Sequence, residues 1–162
     1  PVKRDLPYKR PIWIYVGRVA VEKNIKAFLD LDLEGTKVII GKGPNLNKLK
    51  KKYPNDFFLC EKTNGELASH FASSDVFVFP SKTDTFGIVV LESLSCGTPV
   101  AAYPVPGPKD ILGGSKIDTL DQDLKTSALK ALKLNREDCL EFAKKYSWEE
   151  TARIFYNNIS PN

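Results

Sequence analysis

Val76-Phe77-Val78-Phe79-Pro80-Ser81-Lys82-Thr83-Asp84-Thr85-Phe86-Gly87-Ile88-Val89-Val90-Leu91-Glu92 passes from a run with no polar side chain, through a glycine-closed loop, into an amphipathic stretch. A short run that is apolar at every position suits a strand buried on both faces, as in parallel sheets covered by helices. The pattern repeats outward along the chain. It predicts strands at Ile12–Val16, Lys37–Ile40, Phe57–Leu59, Val76–Phe79 and Pro99–Ala102, with amphipathic stretches near 21–31, 45–53, 64–73 and 86–96 between them. Each such stretch is long enough for a right-handed crossover between parallel strands. The fold class is therefore α/β, a doubly wound, Rossmann-like parallel sheet. From about Asp121 the tail reads as helical, and Ser147-Trp148-Glu149-Glu150 is a capping box opening a last helix through Ile154 and Phe155. Residues 1–11, proline-rich and basic without apolar periodicity, read as a linker or inter-domain connection, which leaves 12–162 as the domain.

The chain has 162 residues, 42% hydrophobic and 27% charged, the composition of one domain with its own core. It begins at Pro1 and contains no methionine, so it is expected to be a piece of a longer protein. No apolar run reaches the roughly 20 residues of a membrane-spanning helix, and no signal pattern opens the chain. Cys60, Cys96 and Cys139 are odd in number and widely spaced, which indicates neither a disulfide framework nor a zinc site and fits a cytoplasmic protein. The net charge of +4 is compatible with anionic ligands or peripheral contact with an anionic membrane. Nucleic acid is not implied: Lys48, Lys50, Lys51 and Lys52 lack the interleaved aromatics that stack bases, and read as a solvated face.

In an open parallel sheet, ligands bind beyond the carboxyl ends of the strands. Four of those ends carry glycine-containing loops here: Gly17-Arg18, Gly41-Lys42-Gly43-Pro44, Pro80 to Gly87, and Pro104-Val105-Pro106-Gly107. Glycine lets backbone approach a ligand closely, and a helix starting in such a loop offers N–H groups and a positive dipole end to an anion. Arg18 and Lys23 could neutralise a diphosphate there. From spacing alone, Lys23 is equally a surface charge beside an (i, i+4) pair, Glu22–Lys26. Asp84 and Glu92 flank seven residues spanning the loop and helix start. In one reading the N–H groups of Phe86, Gly87 and Ile88 face an anion while the two acids accept hydrogen bonds from sugar hydroxyls. In the other, Asp84 is a helix N-cap and Glu92 an exposed helix residue.

These residues resemble the retaining glycosyltransferases of the GT-B fold, the group 1 or family-four type, from about Trp13 to Leu112. The likeness rests on Gly17-Arg18 followed by Glu22-Lys23-Asn24, on Gly41-x-Gly43-Pro44 and on Ser74-Asp75-Val76-Phe77-Val78-Phe79-Pro80-Ser81. It continues with Thr85-Phe86-Gly87 leading through Leu91-Glu92 to Gly97-Thr98-Pro99-Val100. The resemblance implies the donor-binding, C-terminal half of a GT-B enzyme, with an N-terminal acceptor domain as its partner. Arg18 and Lys23 would hold the donor diphosphate, with Gly17 in the same loop. Thr85, Phe86, Gly87, Ile88 and Val89 would supply the loop and its backbone N–H groups to phosphate and sugar, and Glu92 would bind the ribose. Asp84 stands where the family carries a glutamate that contacts the transferred sugar. Gly41, Gly43 and the stretch Cys60-Glu61-Lys62 would neighbour the base, with Cys60 read more as a small packing residue than as a contact. The implied reaction transfers a hexose from a nucleoside-diphosphate sugar, UDP-sugar favoured over GDP-sugar, with retention and without a metal or other cofactor. The habits of the family point to a glycan or lipid acceptor in cell-envelope polysaccharide or glycolipid synthesis.

Asp30-Leu31-Asp32 and Asp121-Gln122-Asp123 imitate a metal-binding Asp-x-Asp, but neither follows a strand, and both read as capping or surface acids. His70 lies within a helical pattern away from the strand-end loops and is expected to be structural. Gly41-Lys42-Gly43-Pro44-Asn45-Leu46 has leucine where a dinucleotide fingerprint needs its third glycine, and a P-loop is absent. Two alternatives remain: a non-catalytic nucleotide-sugar-binding scaffold, which would keep Arg18 and Lys23 without needing the acids, and a GT-B sugar-nucleotide epimerase.

Overall fold

Trp13, Tyr15, Ile39, Val76, Val78 and Ala101 project to one face of a five-stranded sheet, and Ile12, Ile14, Val38, Ile40, Phe77, Phe79, Val100 and Ala102 project to the other. Both sets are buried, because successive strand residues alternate sides and helices cover each side. The computed structural model describes residues 6–83 and 87–146. Its strands are β1 (Ile12–Val16), β2 (Thr36–Ile40), β3 (Phe57–Leu59), β4 (Val76–Phe79) and β5 (Val100–Ala102). All neighbours pair in parallel, in the order β3-β2-β1-β4-β5. The helices are α1 (Ile25–Leu29), α2 (Leu46–Lys52), α3 (Asn64–Ser73), α4 (Ile88–Ser95), α5 (Pro106–Leu112), α6 (Leu124–Leu132) and α7 (Arg136–Lys144). Phe28, Leu49 and Ala128 seal the first face, while Phe71, Leu94, Leu112 and Phe142 seal the second. Each large side chain so buried contributes roughly 1.5–3 kcal/mol.

The expected doubly wound sheet is therefore present, with small shifts at its boundaries. β2 begins one residue early because the Thr36 N–H donates to the Pro11 carbonyl at 2.9 Å. β5 begins one residue late because Pro99 has no N–H to place in a ladder, although its carbonyl accepts from Phe77 at 2.8 Å. The stretch 21–31 is not one helix. A 3-10 turn over Val21–Lys23 ends at Asn24, whose φ of 53° is left-handed, before α1 begins. Asparagine tolerates that conformation, and here its Nδ2 also donates to the Pro80 carbonyl at 3.0 Å. The proline-rich segment after β5 opens α5, with proline in the first turn, where a missing N–H is harmless. The capping box at Ser147 lies outside the described residues, as do Ile154 and Phe155.

Ahead of β1, Leu6 and Tyr8 pack against the core, and Arg10 pairs with Asp75 at 2.6 Å. Asp75 in turn accepts from the Ile12 N–H at 2.6 Å. At the far end of the chain, Arg136 donates to the Ser74 and Ala72 carbonyls at 2.6 and 2.8 Å, joining α7 to the end of α3.

Because the strand order reverses between β1 and β4, the crevice of the sheet opens at their carboxyl ends. The loops bordering it are tied backbone to backbone. Gly17 N–H donates to Ile40 O at 3.0 Å, Val19 N–H to Lys42 O at 2.9 Å, and Asn45 N–H to Val19 O at 3.0 Å. Gly41 has φ of 150°, and a Cβ there would sit 1.9 Å from the Gly17 carbonyl oxygen. Gly41→Ala is therefore expected to cost about 3 kcal/mol, from backbone strain plus a clash with nothing flexible to yield. Gly65, in α3 with open space around it, serves as the control. Gly65→Ala should instead stabilise by about 0.5 kcal/mol, both variants being read by urea titration against the parent.

Candidate functional site

Two adjoining cavities of about 530 and 700 Å³ occupy this edge, sharing Val16, Gly17 and Arg18 as a common wall. The first lies between the loop Gly41 to Pro44 after β2 and Glu61-Lys62 after β3, with Ile40 and Leu67 beneath. The second lies between Arg18, Glu22 and Lys23 on one side and the start of α4 on the other, where Gly87, Ile88, Val89 and Glu92 meet Tyr15, Phe79 and Thr83.

The sheet thus brings together residues far apart in sequence. Gly17, Arg18, Lys23, Gly87, Ile88, Val89 and Glu92 share one cavity, and Gly41, Gly43, Glu61 and Lys62 share its neighbour. Cys60 is the exception. It is exposed and lines neither cavity, so the expectation of a small packing residue does not hold. Asp84, Thr85 and Phe86 lie outside the described residues.

The glycines carry a second correction. The space beside Gly41 and Gly43 is filled by the backbone of the Gly17–Val19 loop, with a Cβ at Gly43 only 2.3 Å from the Val19 carbonyl oxygen. Their missing side chains serve loop-to-loop contact, which fixes where Arg18 emerges.

Arg18 is 65% exposed and pairs with Glu22 at 3.5 Å, while Tyr15 OH donates to the Arg18 carbonyl at 2.9 Å and anchors the loop from below. The expected Glu22–Lys26 pair is replaced by this one, and Lys26 pairs with Asp30 instead. Opposite, α4 starts at Gly87, and the first intrahelical donors are Val90 and Leu91, both to the Gly87 carbonyl. Gly87, Ile88 and Val89, at the amino end of α4 where the helix dipole is positive, line the larger cavity. Glu92 follows Ile88 by four residues and so shares its face of α4. Although exposed, the Glu92 carboxyl is raised above the ordinary glutamate range by partial desolvation against the domain. In the first cavity Lys42 Nζ lies 2.6 Å from Glu61 Oε2, and that hydrogen bond raises the lysine above its usual value.

Asn24 has a positioning role that the pattern did not disclose. It joins the turn carrying Lys23 to the end of β4, and Thr83 Oγ1 reaches the Glu22 carbonyl at 3.5 Å beside it. The signal available was an asparagine interrupting an otherwise helical stretch. The other singled-out residues are structural: His70 is buried and donates through Nδ1 to the Glu66 carbonyl at 2.8 Å, and Asp123 caps α6 by accepting from Thr126 N–H at 3.1 Å. Among the described residues no cluster of three or more His, Cys, Asp or Glu is placed to hold a metal ion, and no helix is long and apolar enough to cross a membrane.

A parallel sheet covered on both faces, with a cavity at the switch point, a second beside it and glycine loops around them, is the Rossmann-like architecture of GT-B glycosyltransferases. The chain belongs to the glycosyl transferases group 1 family, whose model matches residues 1–147. It is 38% identical over 109 residues to a sulfoquinovosyl transferase of Arabidopsis thaliana, covering 64% of this chain and 21% of that protein. It is 37% identical over 112 residues to a GDP-mannose-dependent alpha-mannosyltransferase of Mycobacterium tuberculosis, covering 68% of this chain and 30% of that one. In fold it matches the pneumococcal O-GlcNAc transferase in complex with UDP and GlcNAc, with a TM-score of 0.68, 17% identity, and 93% of this chain against 35% of that one. The chain thus spans between 21% and 30% of the length of these two curated relatives.

The raised Glu92 carboxyl sets a pH dependence. A proton bound more tightly in the folded state favours folding below the ordinary value of 4.5, and that contribution is lost as pH rises through the higher folded value. Glu92→Gln removes it. The melting temperature of the variant relative to the parent is expected to rise from pH 4 to pH 7, read as paired thermal melts.

Proposed function

We infer that this chain is the donor-binding half of a glycosyltransferase that moves a hexose from a nucleoside-diphosphate sugar, UDP-linked in preference to GDP-linked, with retention, to a glycan or lipid acceptor. The observation that carries this reading is the convergence of Arg18, Lys23 and the amino end of α4 on one cavity of about 700 Å³ at the switch point of the sheet. A diphosphate seated there meets a guanidinium fork, an ammonium and helix N–H groups at once. Charge builds on the leaving diphosphate as the glycosidic bond breaks, so fixed positive groups lower the barrier without a metal or other cofactor. Glu92 would accept from ribose hydroxyls, and Asp84 would contact the transferred sugar.

The relatives support the nucleotide: one is named for its GDP-mannose dependence, and a structural neighbour holds UDP. A cytoplasmic enzyme, peripheral at a membrane face and completed by an acceptor-binding domain, fits this reading. Transfer would then require that partner domain to close over the cavities.

The test is a thermal-shift series with UDP, GDP and their hexose conjugates. At a hundred times its Kd, a ligand adds about 2.7 kcal/mol of stability. The parent should gain such a shift, and the double variant Arg18→Ala, Lys23→Ala should lose it. A double variant stabilised as strongly as the parent would remove the diphosphate from this cavity. In the complete enzyme, Asp84→Asn should cut transfer about a hundredfold or more while leaving nucleoside-diphosphate binding nearly unchanged.

A further inference from the structure

β1 and β2 pair along their whole length, from Ile12↔Thr36 to Val16↔Ile40, and backbone hydrogen bonds carry that pairing on into the loops. β1 and β4 do not. Their register is Trp13↔Val76 and Ile14↔Phe77, and beyond it Tyr15, Val16 and Phe79 line the larger cavity instead. The cavity is therefore a split in the sheet, with the turn carrying Glu22 and Lys23 on the β1 side and Thr83 and the start of α4 on the β4 side. Two hydrogen bonds cross the split: Asn24 Nδ2 donates to the Pro80 carbonyl at 3.0 Å, and Thr83 Oγ1 to the Glu22 carbonyl at 3.5 Å. The first is the stronger, being shorter and shielded from water on a buried proline, whereas the second is long and exposed. At φ of 53° glycine would fit Asn24's place without steric cost, but only a side chain can reach across. The turn aims that side chain, since the Asn24 N–H donates to the Val21 carbonyl and its carbonyl accepts from the Ala27 N–H, both at 3.0 Å.

We propose that Asn24 sets the width of this split, and so holds Lys23 at the distance from the amino end of α4 that a bound diphosphate spans. It is a positioning residue, acting through Pro80 rather than on the ligand. Lys23 directly precedes Asn24 in the chain, and Pro80 opens the loop that leads to Gly87 and α4, so one hydrogen bond ties the cation on one side to the helix start on the other. A ligand that must be met from both sides at once is sensitive to their spacing, because a displacement of about 1 Å weakens every directional contact it makes. The β2 side needs no such tie, since its loops are joined backbone to backbone. The proposal rests on the donor-domain reading and adds to it a residue that does not itself line the cavity.

The experiment is a double-mutant cycle read by calorimetric titration of this chain with UDP and GDP, the tighter of the two being used throughout. Asn24→Gly keeps the left-handed backbone and loses only the side-chain amide, so the fold should hold, as urea titration checks. The variant should bind the nucleoside diphosphate at least about fivefold more weakly than the parent. Lys23→Ala should cost about tenfold in the parent but about threefold or less in the Asn24→Gly background, because an ammonium no longer held in place has less to lose. A residue that merely stabilised the fold would leave the two losses independent. The same cycle with Asn24→Asp, which also tolerates that backbone but has no N–H to offer, decides the matter should the glycine variant not fold. Binding by Asn24→Gly equal to that of the parent, or a Lys23→Ala loss of the same size in both backgrounds, overturns the proposal while the donor-domain reading survives. A Lys23→Ala chain that binds as the parent does takes Lys23 out of the site and this proposal with it. A parent that binds neither nucleotide removes the donor-domain reading and, with it, this one.

Discussion

The site depends on backbone hydrogen bonds that extend the β1–β2 pairing beyond the ends of the strands. From Gly17 to Val19 and from Ile40 to Asn45, the two loops run in contact, with N–H groups of each donating to carbonyls of the other. Buried backbone groups need partners, and here the loops supply each other's. The contact is possible only because Gly41 and Gly43 lack side chains, since a Cβ at either would lie within 2.3 Å of a carbonyl oxygen of the opposite loop. Arg18 emerges between them, so its reach into both cavities follows from that packing.

This explains which parts of the molecule were legible in the sequence. The strands were legible because burial on both faces requires apolar residues at every position, a pattern that survives without knowledge of the neighbours. The purpose of Gly41 and Gly43 was not, because the atoms filling their side-chain space belong to a loop more than twenty residues earlier. A glycine records that something comes close, and the sequence does not say whether it is ligand or backbone. Asn24 is a similar case. Helical spacing on either side made 21–31 look continuous, and only the hydrogen bond to Pro80 across the sheet shows why a left-handed residue interrupts it. Cys60 is a different case: its small size suggests packing, yet it stands exposed just after edge strand β3.

The residues brought together were legible in kind. Arg18, Lys23, Gly87 to Val89 and Glu92 could be grouped because each follows a strand end or opens a helix, and a parallel sheet places all such positions on one edge. Their division into two compartments was not readable, since it depends on the Gly17–Arg18 loop standing between them. Nor was the partner of Glu22, because a 3-10 turn in place of α-helix redirects that side chain toward Arg18.

Charge is ordered along the site in a way that fits the inferred ligand. Arg18 stands at the wall shared by both cavities, Glu61 lies in the smaller one and Glu92 in the larger. A nucleoside-diphosphate sugar has the complementary order: a charged centre between two neutral, hydrogen-bonding ends, the base and the sugars. An acid placed at the centre would repel the phosphates, whereas acids at the ends can accept N–H or O–H groups that a neutral base or ribose offers. Among the described residues, the acid near the centre is Glu22, which meets Arg18 at 3.5 Å with both side chains open to water. Such a pair costs little to open. A diphosphate bound as proposed would therefore take the guanidinium from Glu22 at small expense.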